Sequence, residues 1–402
     1  MALLFGLALL LAACGGGGDS APDAGDASPA APTAGVAPTP EEEPAGQPVI
    51  LGPEPVAFDF TEDGRLFFNL RQLGEIRWID LNTWDPEAPL GRGNLFATEE
   101  VWSGNECGLL GMAVDPEFAT NGYIYVYFTQ LESAEEGVGQ PLVIRYTDVD
   151  GVGTDRTIIV GDLPLTNPKI CAHVGGNLHF GPDGYLYLSI GNNERKGTAA
   201  DLSSPLGKIL RFDKADGSAA PDNPFADQAD ADPRIFAYGL RNPFDFAFHP
   251  VTGKIYSGDN GPGNCDELNL IEAGMNYGVP GSLPAPETET CLGLGGVDPI
   301  YLFALPGTEP EELPSNVAPA GATFLSGGVY PGLGDGLLYC EFLTGFLRYF
   351  EFAGPDQDEV ARDLVLIDDC HFNVGIDREG IIYYSQNDKI YRLPPELLPE
   401  PR

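Results

Sequence analysis

The sequence predicts an all-β chain folded as a six-bladed β-propeller, and three observations carry that prediction. Glycine (52) and proline (37) are abundant in a chain of 402 residues, of which 43% are hydrophobic. Apolar stripes at helical spacing are nearly absent. One pattern returns six times: an apolar approach, a turn built on Gly with Asp, Asn or Glu, and an alternating aromatic or aliphatic strand. Such a unit has an apolar edge that it cannot bury alone, so the units must stack around an axis. A two-sheet sandwich would not need the turn signature to recur so regularly.

In chain order the segments are 57–80, 111–130 with its continuation at 143–146, the unit that enters at His173 and closes at 206–213, 246–259 followed by 267–271, 326–352, and 374–393. Each supplies about four short strands. In the third, Pro182-Asp183-Gly184 separates two alternating runs, a hairpin signal because Gly supplies the positive φ that the turn needs. The intervals 191–205, 215–233 and 280–320 are rich in Gly, Pro and acids, and are expected to crowd one face of the disc as functional loops.

Residues 1–13 form an apolar run too short to span a bilayer, and Leu11-Ala12-Ala13-Cys14 is similar to the lipobox of bacterial lipoproteins. The expected organisation is a lipoprotein signal peptide at 1–13, a flexible tether at 14–48 acylated on Cys14, and the propeller at 49–397. This makes the protein extracytoplasmic and membrane-anchored. A net charge of −39 excludes a nucleic acid as the default partner, because a polyanion would be repelled. Six further cysteines show no CxxC spacing of the zinc type, so disulfides in an oxidising compartment are expected. Joining neighbours in the repeat order pairs Cys107 with Cys171, Cys265 with Cys291, and Cys340 with Cys370.

The stretch 171–193 places His173 before Gly175-Gly176, at the entry to a repeat, where propellers keep their chemistry. Imidazole titrates near neutrality, which makes His173 the candidate general base. Asp266 and Glu267 are a possible acid pair for a cation, but acids at a strand entrance are expected to be solvated.

Five motifs occur in order: 106–111 (ECGLLG), 173–178 (HVGGNL) with 181–184 (GPDG), 206–211 (LGKILR), 238–243 (YGLRNP), and 258–262 (GDNGP) through 276–278 (NYG). From Val56 to Leu393 the chain resembles the soluble glucose/sorbosone dehydrogenase family, quinoproteins that hold pyrroloquinoline quinone (PQQ) on a six-bladed propeller. The resemblance implies oxidation of an aldose at the anomeric carbon to the lactone, with hydride passing to PQQ and electrons to a respiratory acceptor. It implies that His173 is the base and that Arg241 stands beside the reactive carbonyl with Asn242 following. It further implies Glu106 near the cofactor, and Ca²⁺ held by the backbone carbonyls of Gly261 and Pro262.

The chain departs from the pattern in the last two repeats. Family members that bind PQQ carry a lysine in the fifth repeat and arginines before the last, to meet its carboxylates. Here 342–345 read Phe-Leu-Thr-Gly and 369–373 read Asp-Cys-His-Phe-Asn, with no lysine or arginine. Lys169, Arg195, Lys196 and His371 are the remaining candidates for that contact. The alternative expectation is a propeller without cofactor that binds carbohydrate or protein, as in the Hedgehog-interacting relatives. A calcium-dependent lactonase on a similar propeller fits the histidine and arginine motifs less well.

Overall fold

The computed structural model describes residues 44–401 except 134, 167–169, 279–290, 292–294 and 304–315. The described residues form six four-stranded antiparallel sheets, the blades of a β-propeller. Blade 1 spans 58–98, blade 2 109–160, blade 3 178–238, blade 4 246–302 and blade 5 319–368. In each of these the order across the sheet follows the order along the chain. Blade 6 has only three strands of its own within 374–393, and its fourth is Gln47–Leu51, paired antiparallel with Lys389–Leu393. The start of the folded unit therefore closes the ring onto its end.

Two boundaries differ from the sequence expectation. Gln47 and Pro48 belong to that closing strand rather than to the tether, and Val49 and Ile50 just after them are buried. Composition could not show this, because the strand is recognised only by a partner at the far end of the chain. Blade 5 begins at Pro319–Leu325, ahead of the predicted start at 326, because Pro-Ala-Gly-Ala-Thr-Phe-Leu lacks the aromatic alternation of the other segments.

The first strand of each blade runs at the axis, where buried Asx side chains lace neighbouring blades together. Asn177 Oδ1 accepts the Met112 N–H of blade 2 at 3.1 Å, and its Nδ2 donates to Asp245 at 3.1 Å. Asp245, fully buried, in turn accepts the Ala322 N–H of blade 5 at 3.0 Å and pairs with His179 at 2.6 Å. Asp59 likewise accepts Val114 N–H across blades 1 and 2 at 2.8 Å. These contacts satisfy backbone donors that would otherwise be stranded where one inner strand passes to the next. The apolar core lies in layers between blades, as where Phe67 meets Phe96 edge-on at 5.2 Å with Phe118 and Tyr146 packed around them.

Three disulfides join Cys107 to Cys171, Cys265 to Cys291, and Cys340 to Cys370, the pairing expected for neighbours in the repeat order. The insertions do not all share a face. The 191–205 loop contacts His173, whereas Arg211 clamps Asp222 of the 215–233 insertion against Asp183 of the hairpin turn at the opposite end of the blade. The 280–320 interval falls largely outside the described residues.

Candidate active site

His173 lies in the connection into blade 3 with a positive φ of 51° and is buried. The two glycines that follow have separate reasons. Gly175 has φ 71°, and a Cβ on Gly176 would lie 1.6 Å from the carbonyl oxygen of Phe244, so blade 3 can approach blade 4 only without one. The ring is held by Asn192, whose Oδ1 is 3.0 Å from Nδ1 and also accepts the Glu194 N–H at 3.0 Å. That oxygen is an acceptor, so Nδ1 donates and Nε2 keeps the lone pair. Nε2 faces Glu194 Oε1 at 3.1 Å, a contact that becomes a hydrogen bond once either atom carries a proton. Burial, and then the charge of Arg241, push the imidazole down to about 4, with Glu194 and Asn192 opposing. A neutral imidazole with a fixed tautomer and a directed lone pair is the form that a general base requires.

The other predicted residues converge on this histidine. Glu106 accepts the backbone N–H of His173 at 2.7 Å, and burial holds its carboxyl above the usual range. Arg241 and Asn242 are set by Asp259, which is 1% exposed and accepts their backbone N–H groups at 2.8 and 2.7 Å. Two further bonds knit this segment to the histidine: Asn192 N–H donates to Arg241 O at 2.8 Å, and Gly175 N–H to Asn242 Oδ1 at 3.1 Å. The Arg241 guanidinium donates to Asn260 O at 2.6 Å, while its buried Nε has no partner. An orphaned donor on a cation at a buried rim fits an anionic or carbonyl-bearing ligand.

The turn at Gly261 and Pro262 adjoins this network through Asn260. A Cβ on Gly261 would lie 1.7 Å from Cys265 O, which is why glycine stands there. Asp266 Oδ1 accepts the Gly261 N–H at 3.0 Å, and its Oδ2 accepts those of Val317 and Ala318, both at 2.7 Å. The expectation of a solvated acid pair is thus overturned, since Asp266 and Glu267 are 1% and 7% exposed. Burial together with neighbouring carboxylates pushes them up to about 7 and about 8. Among the described residues no group of three or more His, Cys, Asp or Glu side chains is arranged to hold a metal, so a cation here would rely on carbonyl oxygens.

The rim at blades 5 and 6 is of a different kind. Phe342 and Leu343 are 39% and 49% exposed, and the ring of Phe342 lies 5.5 Å from that of Phe372. His371 donates from Nδ1 to Phe342 O at 2.9 Å. Arg348, the nearest arginine in sequence, is consumed in a buried pair with Glu341. Arg195 donates to Leu165 O at 2.7 Å, and Lys196 is exposed. Lys169 and Cys14 lie outside the described residues. Sequence reasoning missed Asn192, Glu194 and Asp259, although Asn192 stands in the same stretch as His173, Glu194 directly follows that stretch, and Asp259 opens the DNGP turn.

The fold is a six-bladed propeller, and the sequence places it in a family of such propellers. The chain belongs to the glucose/sorbosone dehydrogenase family, whose model matches residues 53–390. It is 31% identical to the aldose sugar dehydrogenase of Escherichia coli over 53% of this chain and 56% of that protein. It is 34% identical to quinoprotein glucose dehydrogenase B of Acinetobacter calcoaceticus over 56% of this chain and 50% of that one. The matched stretches thus span about half the length of these relatives. The PQQ-bound aldose sugar dehydrogenase of Streptomyces coelicolor has the same fold, with a TM-score of 0.67 and 22% identity over 86% of this chain and 95% of that one.

Proposed function

We propose that the protein oxidises an aldose at its anomeric carbon to the lactone, with PQQ as the hydride acceptor, Ca²⁺ at the Gly261-Pro262 turn and His173 as the base. The observation that carries this reading is the neutral, buried imidazole of His173, oriented by Asn192, with the backbone N–H groups of Asn192 and Gly175 bonded to the Arg241-Asn242 segment. When bound, the quinone supplies an electron-poor carbonyl that accepts hydride. The unpartnered Nε of Arg241 fits that carbonyl end, with Glu106 and Asn242 beside it. Ca²⁺ would polarise the same end, and the buried carboxyl groups of Asp259, Asp266 and Glu267 around the turn, held toward their neutral form by burial, would ionise more readily beside a cation.

The chain's own steps are then few. The sugar would sit with its C1 hydroxyl toward Nε2, the imidazole takes the hydroxyl proton, and Arg241 stabilises negative charge that develops opposite it. Delivery of electrons to a respiratory acceptor, and anchoring through Cys14, belong to the same proposal. A second reading, a binder of carbohydrate or protein without cofactor, is favoured by one observation: the exposed Phe342 and Leu343 where a cation would meet a PQQ carboxylate. Apoprotein mixed with PQQ and Ca²⁺ should reduce an artificial dye when given aldoses. No dye reduction with any aldose would reject the dehydrogenase reading.

A further inference from the structure

Glu194 has no part in the mechanism above, yet its Oε1 stands 3.1 Å from the nitrogen that must act as base. We infer that Glu194 is the proton outlet of the site, its carboxylate placed at Nε2 of His173 to receive the proton taken from the sugar and pass it to water. The inference rests on His173 acting as the base.

The geometry argues for it from both ends. The His173 side chain is 8% exposed and that of Glu194 35%, so the pair runs from the buried nitrogen to solvent. The contact is built in, because the Glu194 N–H is tied to Asn192 Oδ1, the same atom that fixes the ring. His173, Asn193 and Glu194 have φ of 51°, 53° and 54°, three non-glycine residues in the left-handed region within one contact group. Such conformations persist where the surroundings over-determine them and cluster at functional sites.

The charges that face the ring leave this task to Glu194. Arg241 opposes an imidazolium, and Glu106 spends its short contact on the backbone N–H of His173 rather than on the ring. Each turnover nevertheless creates an imidazolium. A carboxylate at the mouth of the site lowers the cost of that charge and can return to Nε2 as the product leaves.

The step balances. The substrate O–H bond breaks as Nε2–H forms, and hydride leaves C1 for the quinone. Nε2–H then breaks as Oε1–H forms, which restores the neutral imidazole. The carboxylic acid loses its proton to water from its exposed side. The entering hydroxyl displaces the Glu194 carboxylate from Nε2, which its partial exposure allows.

Glu194→Gln keeps the shape and removes the charge. It should lower kcat by about 10- to 100-fold with KM changed less than about 3-fold, and Glu194→Ala should regain part of the loss when formate is added. A readout independent of turnover comes from the ring ¹⁵N signals of His173 in the apoprotein, which has four histidines to assign. The acid titration of His173 should move to lower pH in Glu194→Gln, because an opposing charge has gone. An unchanged His173 titration, or a Glu194→Ala enzyme that is slow but indifferent to formate, overturns the outlet while leaving the base assignment intact. Turnover surviving in His173→Ala overturns the base assignment, and the outlet with it.

Discussion

The two halves of the propeller face are built on different principles. From blade 2 to blade 4 the rim is a continuous hydrogen-bonded network: Glu106, His173, Asn192 and Arg241 each bond the next, Arg241 bonds both Asp259 and Asn260, and Gly261 bonds Asp266, all at 2.6–3.0 Å. At blades 5 and 6 the rim is apolar, with Phe342 and Leu343 exposed and Phe372 buried against Phe342, where the resemblance implies cations. The half that would perform chemistry is polar and hydrogen-bonded, while the half that would anchor a tricarboxylate offers His371 and apolar surface. On the proposed function, catalytic geometry and cofactor affinity should be separable, and mutations on the two sides should have distinct signatures.

The largest effect is expected on the polar side. Asp259→Ala strands two buried N–H groups, at about 1–3 kcal/mol each. It should lower the thermal midpoint and cost most of the activity by releasing Arg241, and calorimetry with dye assays would show both. Removing the Cys265–Cys291 bridge, which spans 26 residues beside the Gly261 turn, should cost about 2–4 kcal/mol in denaturant unfolding. Phe342→Lys on the apolar side should do the opposite, tightening PQQ by roughly tenfold, worth about 1.4 kcal/mol, with kcat unchanged. If it alters kcat but not affinity, the separation of the two halves is wrong.

The mildest test is the pH profile. The base acts in its neutral form, so activity is present above its pKa and lost as pH falls through it. Because burial and Arg241 push His173 down to about 4, kcat/KM should stay flat well below pH 6 and fall with a midpoint near 4. A midpoint near the ordinary histidine value would mean that the ring is solvated in the working enzyme.

What the sequence shows of this molecule is what is local. The Asp-Gly turn at 183–184, the alternating strands and the Gly-Gly pair after His173 all act within a few residues, and the six units follow from them. The closing strand Gln47–Leu51 and the role of Asp266, whose partners Val317 and Ala318 are 51 and 52 residues away, depend on contacts no short pattern records. The acid pair read as solvated for the same reason: its burial comes from a neighbouring connection. Asn192 and Glu194 were within reach, since an amide and a carboxylate directly after a strand that pairs with the histidine's own strand can turn back onto the ring.

The central claim is that the His173 side of the face performs the chemistry on a quinone held beside Arg241. The direct measurement follows the absorbance of PQQ as it is titrated into protein with Ca²⁺ or with chelator, and then as aldose is added. The account predicts uptake that depends on Ca²⁺ and bleaching of the bound quinone by sugar, with His173→Ala binding PQQ equally well but showing no bleaching. Absence of uptake, or bleaching by His173→Ala at the rate of the unaltered protein, would contradict it.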